Sequence, residues 1–90
     1  MPGISRFFGI VIHMYANDHG PERHFHASYN GFYARFYFDG TMGDGEEFPS
    51  KQAKLVKKWA LLRRAELDAN WVEHVEPGTQ PVDIPPLEHK

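Results

Sequence analysis

The sequence predicts an α+β domain in which a three- or four-stranded antiparallel sheet, a meander, is covered on one face by a long C-terminal helix with room for a kink. Three observations predict it. Residues 5–15 (SRFFGIVIHMY) alternate apolar side chains at period two, Asn30-Gly31 joins two further alternating runs, and an apolar stripe at helical spacing runs through residues 50–76. At 90 residues the chain has material for one core, which excludes a second domain. Residues 1–76 are expected to form that domain, and residues 77–90 an extended, proline-containing tail.

In residues 5–15 the side chains of Phe8, Ile10, Ile12 and Met14 fall on one face, as in a central strand. Residues 16–23 (ANDHGPER) concentrate turn formers and read as a surface loop. The next two runs, residues 24–29 and 32–38, flank Asn30-Gly31, the dipeptide that best tolerates the positive φ angles of a type I′ turn. A two-residue turn sets Tyr29 against Phe32, Ala27 against Ala34 and Phe25 against Phe36, an apolar face without a mismatch. The opposite face then pairs Ser28 with Tyr33, His26 with Arg35 and His24 with Tyr37.

Residues 39–49 carry three glycines among acidic residues, which predicts a turn and at most a short edge strand near residues 46–48. Ser50 is placed to cap a helix whose stripe is Leu55, Val56, Trp59, Leu62, Leu67, Trp71 and Val75, ending at Pro77-Gly78. Unbroken, it would be about 39 Å long, more than a domain of this size is wide. Either it breaks within residues 64–70, where Asp68 can cap a second piece, or its distal half projects and lays Trp71 and Val75 on a partner. Pro81, Pro85 and Pro86 keep the tail extended, crossing its own sheet or docking elsewhere.

Composition removes several function classes. Cysteine is absent, so there is no disulfide, thiolate nucleophile or Cys-type zinc site, and a reducing cytoplasmic location is expected. The longest apolar run, residues 7–12, is far below the roughly 20 residues of a spanning helix, and no membrane role is expected. A formal charge of −2 does not by itself imply attraction to nucleic acid. No GxGxxG, Walker loop, HExxH or GxSxG is present.

Chemistry is concentrated on the histidine face. His24 and His26 stand two apart on a strand and point the same way, and if Ile10, Ile12 and Met14 face the helix then His13 joins them beside Tyr33, Arg35 and Tyr37. Arg35 next to His26 disfavours imidazolium and leaves a neutral nitrogen lone pair for a base or a ligand. His13, His24 and His26 are the candidate ligands of a divalent ion such as zinc, although no cofactor is required by the pattern. His24 and His26 as catalytic groups, with Arg35 steadying phosphate charge, form the alternative, a small RNA-cleaving site.

A second constellation is the helix itself. Lys51, Lys54, Lys57, Lys58, Arg63 and Arg64 hold six of the ten basic residues, and first-turn lysines oppose the helix dipole, which fits an acidic partner or a phosphate backbone. Tyr33, Tyr37, Lys54, Lys58 and Trp71 are the candidate binding residues. Both tryptophans also fit core positions on the stripe. His19, His74 and His89 have no evident partners.

The opening ISRFFGIVIHMYANDHGPERHFHASYNGFYARF, with the basic, aromatic helix bearing Trp59 and Trp71 and the Ile84-Pro85 tail, resembles the small bacterial family called domain of unknown function 4160. The most specific part is the strand and loop leading to HFHA at residues 24–27. Members typically carry prolines directly before the first histidine, whereas here Glu22-Arg23 follow Pro21. The resemblance implies no activity for named residues. It implies a gene neighbour encoding another small protein, in an arrangement like a toxin and antitoxin pair. Together with the overlong helix and the tail, it leads us to expect a protein-interaction module that binds a small protein partner, another copy of itself, or RNA.

Overall fold

The computed structural model describes residues 3–18 and 22–87. Strands β1 (Ser5–Phe7), β2 (Ile10–His13), β3 (His24–Tyr29) and β4 (Phe32–Tyr37) make a four-stranded antiparallel sheet in the order β1-β2-β3-β4, followed by helices α1 (Ser50–Leu62) and α2 (Arg64–Asn70). The class is α+β and the sheet is a meander.

The fourth strand is not where the sequence placed it. Instead of one strand over residues 5–15 there is a hairpin, because Phe8 and Gly9 take φ of 52° and 79°, both positive as a type I′ turn requires. The turn makes Phe7 and Ile10 cross-strand partners, so Phe7 enters the core while Phe8, expected on the buried face, is 42% exposed. The glycine inside the apolar run was the signal for a break. A phenylalanine in the left-handed region is uncommon, so the alternation outweighed it.

The second hairpin has the expected register, with Asn30 and Gly31 at φ 47° and 89°. Residues 46–48 do not form an edge strand. The 39–49 loop instead folds along β4, where the Tyr37 N–H donates to Thr41 O (2.8 Å) and the Arg35 N–H to Glu46 Oε1 (2.9 Å). These bonds occupy donors that an edge strand would otherwise present to another chain.

Of the two expected forms the helix takes the broken one, but the break falls at Arg63 (φ −107°, ψ 26°), just before the expected 64–70 span and without Asp68 as a cap, and α2 passes into a π-helical turn, Trp71–Val75. An unbroken rod would overrun a molecule measuring 33 × 31 × 22 Å. Pro49, not Ser50, occupies the N-cap position of α1, and no side chain caps it. Each piece buries its own residues: Val56, Trp59 and Ala60 from α1, Leu67 and Asn70 from α2, Trp71 and Val75 from the π turn.

These apolar residues join Phe7, Ile10, Ile12, Met14, Phe25, Ala27, Ala34, Phe36 and Phe38 in one core. Trp59 is its centre: the Phe7 ring stacks on it at 5.7 Å and the Phe25 ring meets it edge-on at 5.4 Å. The tail completes the core. The Trp59 Nε1–H donates to Pro85 O (2.9 Å), the Ile84 N–H donates to Ile4 O (2.8 Å), and Ile84 and Leu87 are buried. The buried Asn70 amide pairs with the Val82 backbone in both directions, at 2.9 and 3.0 Å, as a neighbouring strand would. Among the described residues no helix is long and apolar enough to cross a membrane.

Candidate metal centre

Strand parity divides the sheet. Phe25, Ala27, Ala34 and Phe36 have no exposed surface, while the alternate positions of β3 and β4 pair His24 with Tyr37, His26 with Arg35 and Ser28 with Tyr33 on the other face. The β2–β3 register sets His13 opposite His26 on this face. His24 is nevertheless 4% exposed. It opens β3, where the Trp71 ring comes to 5.5 Å from its imidazole and the His26 ring meets it edge-on at 5.3 Å.

A third group arrives from the loop after β2. The chain turns there with Asn17 at φ 61°, the Asp18 N–H donates to Tyr15 O (3.3 Å), and the Asn17 N–H donates to Val75 O (3.0 Å), which ties the loop to the last helical turn. Gly78 (φ 87°) lies against this loop so closely that a Cβ would sit 2.7 Å from Asn17 Oδ1. The turn delivers Asp18 Oδ2 to 3.0 Å from His24 Nε2 and 3.1 Å from His26 Nε2. One donor atom from each of Asp18, His24 and His26 lies within 4.8 Å of the others.

The protons of this cluster do not balance for neutral rings. His24 Nδ1 lies 2.9 Å from Glu22 O and its Nε2 faces the Asp18 carboxylate, so both nitrogens meet acceptors while a neutral imidazole has one N–H. A second proton or a metal ion at Nε2 satisfies the ring. His26 differs, since its Nδ1 is buried without a partner. Burial is the largest influence on His26 and lowers its pKa. The hydrogen bond and charge of Asp18 oppose this, and His24 and Arg35 add to the lowering. The expected influence of Arg35 is present, as a lesser cause than burial. His13 is also lowered, by burial first and then by His26 and Arg6.

A family model described as "Domain of unknown function (DUF4160)" matches residues 9–72. The chain belongs to this family. No curated protein and no solved structure matches it. The matched span contains Asp18, His24, His26 and Arg35 of this DUF4160 domain and excludes the tail that closes its core.

Of the residues singled out from the sequence, the fold brings His24 and His26 together and keeps His13 apart from the cluster. His13 Nε2 lies 3.2 Å from Ser28 Oγ and its ring runs parallel to that of Tyr15 at 6.1 Å. Asp18, read from the sequence only as a turn former, stands where a third ligand was sought. An acidic residue in the turn feeding an H-x-H strand was the available signal. Tyr33 stacks on His26 at 5.4 Å and 9°, with its hydroxyl 2.7 Å from that of Tyr15. Burial pushes the Tyr33 phenol well above its ordinary range, helped by that hydroxyl pair and by the charges of Asp18 and Glu46.

Arg35 lies over the Tyr37 ring at 6.0 Å. Lys54 and Lys58 are exposed on α1, whose Trp59 packs on the apolar face, so they lie away from the histidines. Trp71, a candidate binding residue that also fitted a core position, takes the core one: it is 6% exposed and packs against Phe38 and His24, because the break at Arg63 folds the distal helix onto its own domain. His74 has a partner after all, Thr79 Oγ1 at 3.1 Å, while His19 and His89 lie outside the described residues.

Proposed function

We propose that this protein holds one divalent transition-metal ion on Asp18, His24 and His26 and uses it for hydrolytic chemistry. The observation that carries this reading is the His24 ring, with Nδ1 tied to a backbone carbonyl and Nε2 aimed at a carboxylate. Ligating histidines characteristically donate their other N–H to a carbonyl or carboxylate, which orients the ring and raises its basicity. Bonds of roughly 2.0–2.2 Å at tetrahedral or octahedral angles put neighbouring donors about 2.8–3.6 Å apart, and the two nitrogen–oxygen separations here are 3.0 and 3.1 Å. Two imidazoles and one carboxylate suit zinc or another first-row divalent ion. Three protein ligands leave positions for water and substrate, and a bound ion makes that water acidic enough to act as a nucleophile near neutral pH.

Titration of the isotopically labelled protein with zinc, followed through the histidine ring nitrogens by NMR, tests this. The Nε2 signals of His24 and His26 should move together and saturate at one ion per chain, with those of His13 and His74 unchanged. Movement of all four alike, or none, counts against the site.

A second reading, a module binding a small protein partner or a second copy, is favoured by Leu61 and Leu62. They are 56% and 57% exposed, each one turn beyond an exposed lysine, Lys57 and Lys58. Such a pair fits a partner with an apolar patch bordered by carboxylates. Light scattering of the protein alone and with the product of its gene neighbour reads this directly. A strict monomer indifferent to that neighbour counts against it.

A further inference from the structure

We infer that the substrate of this centre is a nucleotide phosphodiester in single-stranded form, held by Arg35 through its phosphate and by Tyr33 through a base. The inference rests on the metal reading above and adds an anion seat and a stacking surface to it.

Arg35 is opposite His26 across the strand pair, on the face that carries the cluster. Among the described residues, Arg23, Arg63 and Arg64 each meet a carboxylate, but no ion pair involves Arg35. Its position is built nonetheless. The guanidinium presses on Gly43, where a Cβ would lie 2.9 Å from Nε, and Nε is buried without a partner. The Gly43 N–H donates to Arg35 O at 3.0 Å and Glu46 takes the Arg35 N–H, so the loop is bonded to the backbone that carries the arginine. Arg35 stands opposite His26 on the neighbouring strand and its charge is felt at the His26 ring, so a guanidinium and an ion held at the cluster would offer two positive groups to one extended ligand. Phosphate oxygens suit both, since a planar fork recognises them bidentately and a divalent ion accepts them as ligands.

Tyr33 supplies the seat for a base. It is 52% exposed, yet one side is stacked on His26 and its hydroxyl is tied to Tyr15, so it is both open and fixed. A fixed aromatic ring on a sheet face lets a base stack with little ordering cost, which is how single strands are held without sequence preference. An ion held by Asp18, His24 and His26 would supply an activated water, and hydrolysis would join that water's oxygen to phosphorus as the P–O bond to one ester oxygen breaks. The departing oxygen takes the proton released by the water, giving a phosphomonoester and an alcohol.

The test uses the whole protein loaded with zinc and short labelled ribo- and deoxyribo-oligonucleotides, with affinity read by fluorescence anisotropy and metal content measured on the same samples. Arg35→Gln and Arg35→Lys should keep one ion per chain and weaken binding by about tenfold or more, and Tyr33→Ala should weaken it by about fivefold or more, the scale of losing one stacked base. Inorganic phosphate should compete for the wild type and for Tyr33→Ala, but not for Arg35→Gln. Metal bound with Arg35→Gln indifferent overturns this inference alone. Oligonucleotide binding that depends on Arg35 without bound metal overturns the metal reading and leaves the anion seat. Neither metal nor oligonucleotide bound by the folded wild type overturns both. Circular dichroism on each variant separates these outcomes from misfolding.

Discussion

The two faces of the sheet follow opposite rules. On one, Phe25, Phe36, Ile10 and Ile12 are sealed under Trp59 and the tail, and Ser5 Oγ is the buried side-chain polar atom without a partner among the described strand residues of that face. On the other, His13 Nδ1, His26 Nδ1 and Arg35 Nε are buried without partners, and His24 has one acceptor too many. Natural cores rarely leave buried polar atoms unsatisfied, and three of the five such atoms among the described residues lie on this face, the other two being Ser5 Oγ and Arg63 Nε.

That contrast breaks most visibly at Trp59. Trp59→Ala removes the centre of the closed face together with the bond to Pro85, and should cost about 3–5 kcal/mol in denaturant unfolding. A loss below about 1 kcal/mol would mean that this face is not the stabilising one. Asn70→Ala leaves the Val82 N–H and carbonyl without their partners, and about 1–3 kcal/mol should be lost, with earlier proteolysis of the tail. If the tail stays equally protected, the Asn70 strap is not what holds it.

Tyr33→Phe, on the open face, gives up only the exposed hydroxyl pair with Tyr15 and should change stability by less than about 1 kcal/mol. A larger loss would make the open face structural as well. The smallest expected effect lies at Asp39, at the exposed end of β4. The Thr41 hydroxyl and N–H hold its carboxyl below the ordinary value of 3.8. Its contribution is therefore complete above that value and is lost as pH falls through the lower folded value, because there the unfolded chain takes up the proton first. Asp39→Asn should leave the neutral-pH midpoint almost unchanged and slightly flatten the acid limb of a stability–pH curve. A steeper acid limb would contradict the assignment.

The closed face was legible in the sequence because its information is local. The Asn30-Gly31 turn set a register that then placed Phe25, Ala27, Ala34 and Phe36 inward without ambiguity. Two features depended on distance instead. The Phe8-Gly9 turn hid in an alternation that a single strand satisfies equally well, and only the burial of Phe7 separates the two solutions. That the helix could break was legible from its length, but the place of the break has no proline or glycine to announce it, and it falls at Arg63 rather than at an Asp68 cap.

Half of the candidate site was legible for the same reason. His24 and His26 share a face by strand period alone, and Arg35 follows from the hairpin. Asp18 reaches them because Asn17 is bonded to Val75 and Gly78 leaves room for it, contacts made across almost 60 residues of chain that no local pattern encodes.

Counting metal decides whether the Asp18, His24 and His26 cluster is a metal seat. Wild-type protein and an Asp18→Ala variant, purified without a metal-affinity tag, exposed to zinc and exhaustively dialysed, are compared by elemental analysis. Close to one ion per chain is expected in the wild type and a stoichiometric loss in folded Asp18→Ala. Equal content in the two proteins, or none in either, would contradict it.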